Sequence, residues 1–165
     1  MKRLLIVDDE SGIRGLLVRG FSKLGHECVE ASTAFGAMEH LRLASFDAAI
    51  IDIRMPGLSG IHLLSNVKDY DEDIAVIMIT GCRDVEIAIQ AMKMGADDYI
   101  LKPLRLNDIE IWLNRALDNR RRQKRLREGL SFLEQSNRLH IRPSTGVAQN
   151  LQPVRSPIDR STHRD

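Results

Sequence analysis

Five side chains able to do chemistry close apolar runs in this sequence: Asp8 and Asp9 after Leu4–Val7, Asp52 after Ala48–Ile51, Thr80 after Ile74–Ile79, and Lys102 after Tyr99–Leu101. Three carboxylates brought to one place repel one another, and either raised pKa values or a bound cation must relieve the strain. Neither Cys28 nor Cys82 has a second Cys or a His at metal-ligand spacing, so oxygen is the available donor. Oxygen donors suit a hard divalent ion. Mg2+ fits best, because it accepts a few carboxylates, keeps several waters and takes phosphate oxygens as further ligands. Each residue also has an ordinary use. Asp8 and Asp9 can cap a helix starting near Ser11, and Asp52 can lead a turn at Pro56-Gly57. Thr80 can simply end a strand, and Lys102 can be a solvated charge. Acids, hydroxyl and amine at the ends of four separate runs are too coordinated a set for those independent uses.

The apolar runs Leu4–Val7, Ala48–Ile51 and Ile74–Ile79 are short and rich in Val, Ile and Leu, as strands buried on both faces are. Weaker runs at Glu27–Ala31 and Tyr99–Leu101 suit the edges of the same sheet. Between them lie segments with helical spacing: Ile13, Leu16, Leu17, Phe21 and Leu24; Ala34, Ala37, Met38 and Leu41; Leu63, Leu64 and Val67; Ala88, Ala91 and Met92. Strict alternation of strand and helix implies βαβ crossovers. The expected fold is therefore α/β: a flavodoxin-like, doubly wound, five-stranded parallel sheet, (βα)5, with an extended C-terminal helix. Such sheets place their sites at the carboxyl ends of the strands, where the five side chains stand. Gly25, Gly57, Gly60, Gly81 and Gly95 fall at the joints.

The motifs Leu5-Ile6-Val7-Asp8-Asp9-Glu10, Asp52-Ile53-Arg54-Met55-Pro56-Gly57-Leu58-Ser59-Gly60, Thr80-Gly81 and Asp98-Tyr99-Ile100-Leu101-Lys102-Pro103 occur in that order. On them, the segment 1–120 resembles the receiver domain of bacterial two-component response regulators, in particular the regulatory module of nitrogen-regulation-type activators. The resemblance implies that Asp52 is the phosphoacceptor and that Asp8, Asp9 and Asp52 hold Mg2+ together with the backbone carbonyl of Arg54. It further implies that Thr80 and Lys102 contact the phosphoryl group, which comes from a sensor histidine kinase or a histidine phosphotransfer protein. Such a chain is a signalling phosphoacceptor that catalyses only its own phosphorylation and dephosphorylation. The chemistry suits the residue types: an ionised Asp52 is the nucleophile, while Mg2+ and the Lys102 ammonium offset charge repulsion. The resemblance also implies a switch in which Thr80 moves inward and the ring of Tyr99 follows. That would change the surface of the fourth helix, fifth strand and last helix, roughly residues 84–117, and with it self-association into a phosphorylation-dependent homodimer or partner docking.

The composition fits one domain followed by something different. Of 165 residues, 43% are hydrophobic and 28% charged, which excludes a disordered, collagen-like or disulfide-dense chain. The net charge of +1 conceals an asymmetry: residues 1–117 carry 13 basic and 18 acidic side chains, residues 118–165 carry 11 and 5. The last helix is expected to open near Asn107, with Ile109, Trp112, Leu113, Ala116 and Leu117 facing the sheet, and to run for ~30 residues, about 45 Å. Residues 121–139 read as a basic helical extension in which Leu126, Leu130 and Leu133 have coiled-coil spacing, and residues 140–165, with three prolines, as a disordered tail. The basic run Arg120 to Arg127 allows an alternative, a phosphorylation-controlled DNA-binding regulator. No aromatic residue interleaves it, however, and a solvated helix face is the commoner use of such a run, so nucleic acid is disfavoured as a partner.

No effector domain is recognisable after the receiver motifs, which leaves a stand-alone relay or docking module or a shortened regulator lacking its effector. A phosphatase would need an acid/base His near Asp52, and a flavin binder a phosphate loop where Asp8-Asp9-Glu10 stands. The N-terminal apolar run is shorter than the roughly 7–15 residues of a signal peptide. No membrane span is expected, the cysteines are expected to be reduced core thiols, and the expected location is cytoplasmic.

Overall fold

The computed structural model describes residues 1–81, 83–105 and 108–140. Five strands and five helices alternate: β1 (Arg3–Val7), α1 (Ser11–Lys23), β2 (Glu27–Ala31), α2 (Ala34–Leu43), β3 (Ala48–Asp52), α3 (Gly60–Tyr70), β4 (Ala75–Thr80), α4 (Val85–Lys93), β5 (Asp98–Leu101) and α5 (Ile109–His140). The strands form one parallel sheet in the order β2-β1-β3-β4-β5. The two weaker runs are the edge strands, because a strand with a solvent-facing edge needs less continuous apolar sequence. Cys82, Asn107 and the tail from residue 141 onward lie outside the described residues.

Period-two alternation within each central strand divides the core. Leu5, Val7, Ala49, Ile51, Val76 and Met78 pack with α2, α3 and α4 residues such as Ala37, Leu41, Leu63, Leu64 and Ala91. Leu4, Ile6, Ala48, Ile50, Ile77 and Ile79 face the other way, onto Leu17 and Phe21 of α1 and Ile109, Leu113 and Ala116 of α5. Every residue of β3 and β4 is buried, so those strands cannot shift without moving both layers.

Two side chains expected in the core are not there. Leu24 is 41% exposed because it follows the last turn of α1, just before Gly25 turns the chain with φ 82°. Met92 is 48% exposed: α4 has only nine residues and fully buries Ala91 alone, the small side chain that lets the helix approach the sheet. Val85, Ile89 and Met92 of α4, Leu101 of β5 and Ile111 of α5 are large apolar side chains left exposed.

The chain divides after Leu130 into a first unit, Met1–Leu130, and a second that begins at Ser131. Within the first, the basic run of α5 is not uniformly solvated. Arg120, Lys124 and Arg127, at i, i+4 and i+7, lie on one helix face. Arg120 is buried against Asp97 at 2.8 Å, Lys124 reaches Asp73 at 2.6 Å, and Arg127 reaches Asp73 at 2.6 Å and Glu72 at 2.8 Å. Arg121, Arg122 and Arg125 remain exposed, as do Leu126 and Leu130 of the heptad-spaced set. In the second unit Phe132 and Leu133 are exposed. No described helix is long and apolar enough to cross a membrane.

Candidate functional site

The carboxyl ends of the sheet strands bring the predicted side chains together. Asp52 and Thr80 are the last residues of β3 and β4, Asp8 and Asp9 come directly after β1, and Lys102 comes directly after β5. The backbone N–H of Lys102 donates to the Thr80 carbonyl at 2.8 Å, which carries the β4–β5 pairing into the loop. The Lys102 Nζ then lies 3.1 Å from Asp8 Oδ2, 3.1 Å from Asp52 Oδ1 and 2.9 Å from Glu10 Oε1. Asp8, Asp52 and Thr80 are buried, whereas Asp9 is exposed at the rim. Tyr99 pairs with Met78 in register and is half-buried against the α2–α3–α4 layer.

The backbone fixes two of the acids. The Arg54 N–H donates to Asp52 Oδ2 at 3.1 Å, and the Glu10 N–H donates to Asp8 Oδ1 at 2.8 Å. Neither Asp8 nor Asp9 is the α1 cap; that position is Glu10, whose side chain makes no capping bond. The aspartates are therefore free of the ordinary helix-capping use.

Burial pushes the Asp52 carboxyl above its ordinary value, and the nearby Asp8 charge adds to the effect; the Lys102 ammonium and the Arg54 N–H pull it back. For Lys102, burial alone would favour the neutral amine, but the carboxylates of Glu10, Asp8 and Asp52 outweigh it and hold the group firmly protonated. One ammonium thus neutralises only part of the local negative charge. Ligand oxygens of Asp8, Asp9 and Asp52 lie within 4.8 Å of one another. Asp8 Oδ2, although near the ammonium, is buried without a hydrogen bond. An all-oxygen donor set with surplus negative charge and an unsatisfied buried acceptor fits a hard divalent cation.

Several contributors to the site were not singled out by sequence. Glu10 is the third partner of Lys102, and its only sequence signal is its place beside the Asp pair. Arg14, one turn into α1, donates to the carbonyls of Asp8 and Asp9. His62, ten residues beyond Asp52, pairs with Ser59 at 2.9 Å and lines an open cleft of about 650 Å3 together with Asp9, Arg54, Met55 and Ile87. Gly60, legible only as a joint, is a close approach: a Cβ there would lie 2.0 Å from the Asp52 carbonyl oxygen, while its N–H donates to the Ile53 carbonyl at 3.0 Å. Gly60→Ala is therefore expected to push α3 off the end of β3 and destabilise the protein by about 1–3 kcal/mol, the usual cost of overpacking. A urea titration measures it, and an unchanged midpoint would refute the contact.

The receiver-domain pattern is matched along residues 4–114 by the family model described as the response regulator receiver domain. The chain belongs to that family. The receiver is 33% identical over 127 residues to the regulatory protein AtoC of Escherichia coli (strain K12), covering 77% of this chain and 28% of that relative. It is 31% identical over 159 residues to the nitrogen assimilation regulatory protein NtrX of Azorhizobium caulinodans, covering 95% of this chain and 34% of the relative. Among solved structures, a CheY-like receiver domain protein from Methanospirillum hungatei JF-1 superposes with a TM-score of 0.70 at 29% identity, covering 74% of this chain and 98% of that one. The chain thus spans about a third or less of these two curated relatives. The receiver assignment accounts for the acidic cluster and makes the protein a component of two-component signalling.

Proposed function

We propose that this receiver accepts a phosphoryl group on Asp52 from a phosphohistidine, carried by a sensor histidine kinase or a histidine phosphotransfer protein. The observation that carries this reading is the Lys102 ammonium, 3.1 Å from both the Asp52 and the Asp8 carboxylates at the buried end of the sheet. In the transfer, an Asp52 oxygen forms the new O–P bond, the P–N bond to the donor imidazole breaks, and the imidazole keeps the electron pair and is then protonated. Lys102 exchanges its carboxylate partners for the incoming phosphoryl oxygens, and Thr80 donates its hydroxyl to another. Asp8, Asp9, Asp52 and the Arg54 carbonyl would hold Mg2+, which would screen the acids and bind phosphoryl oxygens.

Thr80 and Tyr99 form the switch in this reading, and the exposed apolar side chains Val85, Ile89, Met92, Leu101 and Ile111 support an output surface on α4, β5 and α5. Phosphorylation-dependent pairing of two copies is one output of that surface, and docking by a stand-alone relay, or by a regulator shortened of its effector, is the other. A basic-helix DNA reading has less support, since Arg120, Lys124 and Arg127 are engaged with the acids of their own domain. The working place in this reading is the cytoplasm. Intact mass and size-exclusion elution with Mg2+, before and after a small phosphodonor, test the proposal: an adduct must appear on the wild type and be absent from Asp52→Asn.

The raised Asp52 carboxyl gives the reaction a pH signature. Only the ionised form attacks phosphorus, so the transfer rate should fall as pH drops through a value above the ordinary 3.8. Stability runs the other way. The folded carboxyl holds its proton more tightly than the unfolded one, so this group's contribution declines as pH rises from 3.8 through the raised value. Asp52→Asn should accordingly melt higher than wild type at neutral pH without Mg2+, by roughly 2–4 °C per kcal/mol of relief. Calorimetry checks it, and a lower melting temperature would contradict the stated charge balance.

A further inference from the structure

The carboxylate of Asp9 belongs to the acidic cluster, yet among the described residues no hydrogen bond holds that side chain. Asp8 is different: its carboxylate takes the Glu10 N–H and lies beside Lys102. What places Asp9 is the backbone of the β1–α1 loop, which the Asp8 carboxylate holds at the Glu10 N–H and Arg14 holds at the carbonyls. Arg14 directs Nη1 at two consecutive carbonyls, Asp8 O at 2.7 Å and Asp9 O at 3.2 Å. Its Nε lies 3.5 Å from Glu30 Oε2 on the edge strand β2, and its side chain is only 17% exposed. The Arg14 backbone N–H closes the first helical turn onto the Glu10 carbonyl at 3.1 Å.

We propose that Arg14 is a positioning residue for the cation site: it fixes the two peptide planes after β1 so that Asp9 is held in reach of Asp8 and Asp52. This rests on the Mg2+ reading of the cluster. Two carbonyls converging on one nitrogen cannot rotate independently, and the peptide plane after Asp8 sets the direction in which the Asp9 Cα–Cβ bond leaves the chain. Glu30 holds the guanidinium from the far side, so the loop is strapped to the sheet edge rather than only to its own helix. Arg14 acts through the loop and contacts no reacting atom.

The role predicts a separation that simple destabilisation does not produce. Arg14→Ala should weaken Mg2+ binding by roughly 10–100-fold, as loss of an orienting partner does elsewhere. The phosphorylation rate at saturating Mg2+ should stay within about threefold of wild type, because neither the nucleophile nor Lys102 has moved. Arg14→Lys, which can still donate to a carbonyl but reaches Glu30 less well, should recover part of the affinity. Calorimetric titration of the full chain with MgCl2 gives the affinity directly, and the Mg2+ dependence of phosphodonor labelling gives the split. An Arg14→Ala protein that melts as a folded domain and binds Mg2+ like wild type overturns the positioning role alone. A wild type that takes up no Mg2+ overturns the metal reading and this proposal with it. Equal loss in Arg14→Ala and Arg14→Lys also overturns it, since the donor and not the exact side chain is what the geometry requires.

Discussion

Lys102→Ala is expected to accept a phosphoryl group roughly 100–1000-fold more slowly than wild type, the usual consequence of removing one preorganised electrostatic partner of a transition state. Asp52→Asn should accept none. The two effects have different origins. Asp52→Asn removes the proposed nucleophile, and its amide nitrogen and carbonyl oxygen cannot replace a carboxylate attacking phosphorus. Lys102→Ala leaves the nucleophile but removes the ammonium lying 3.1 Å from Asp8 and from Asp52, so two buried carboxylates then face each other without it. Their repulsion should raise the Asp52 carboxyl further and move the acid limb of the rate profile upward. The same change takes a competing cation from the acidic cluster, so Mg2+ should bind Lys102→Ala at least as tightly as wild type. A slow rate with undiminished Mg2+ affinity separates the proposed role of Lys102 on the phosphoryl group from mere support of the site. A time course of intact mass at saturating MgCl2 reads it, and wild-type speed in Lys102→Ala would remove the lysine from the mechanism.

The order of the elements was readable because each strand is a short apolar run and each helix repeats at its own period. The meeting of Asp8, Asp52 and Lys102 was readable because a parallel sheet collects the residues at its strand ends. Tertiary packing hid the rest. Leu24 keeps helical spacing but follows the end of α1, and Met92 keeps it on a short helix that fully buries only Ala91 against the sheet; spacing cannot show where a neighbour ends. Glu10 and Arg14 act on the site across a loop whose shape the sequence does not state. Gly60 looks like any glycine opening a helix until the Asp52 carbonyl is found against it. The charge run of α5 shows most clearly what pattern reading misses: its cations separate into a face bonded to the rest of the domain and an exposed face only when Glu72, Asp73 and Asp97, distant in sequence, are brought beside it.

That bonded face carries the largest stability effect expected outside the site. Asp97 and Arg120 are both buried, joined by one contact of 2.8 Å from Arg120 Nη2 to Asp97 Oδ2. The same Nη2 donates to the Gly95 carbonyl at 2.9 Å, while Asp97 Oδ2 also accepts the Val76 N–H at 2.8 Å and has Lys68 Nζ at 3.4 Å. Arg120→Ala therefore leaves a buried carboxylate with the Lys68 ammonium at 3.4 Å as its remaining cation and strands a carbonyl at the turn into β5. Removing one member of a buried pair costs about 3–5 kcal/mol. The pair is single-pronged, with Asp97 Oδ1 and Arg120 Nε lacking hydrogen-bond partners, so the lower end of that range is expected. Lys68 supplies a partial remedy. Burial, and to a lesser degree the Arg120 charge, hold its amine down at about 8; without Arg120 it should move upward and give Asp97 a firmer counter-charge. By contrast, Asp73→Ala breaks partly exposed contacts to Lys124 and Arg127 and should shift the urea midpoint less. Because the loss arises from a buried charge left with its weaker cation and not only from missing attraction, Asp97→Asn combined with Arg120→Met should be more stable than Arg120→Ala alone. Urea titrations of the variants decide it, and an Arg120→Ala midpoint indistinguishable from wild type would mean that α5 is seated by its apolar face alone.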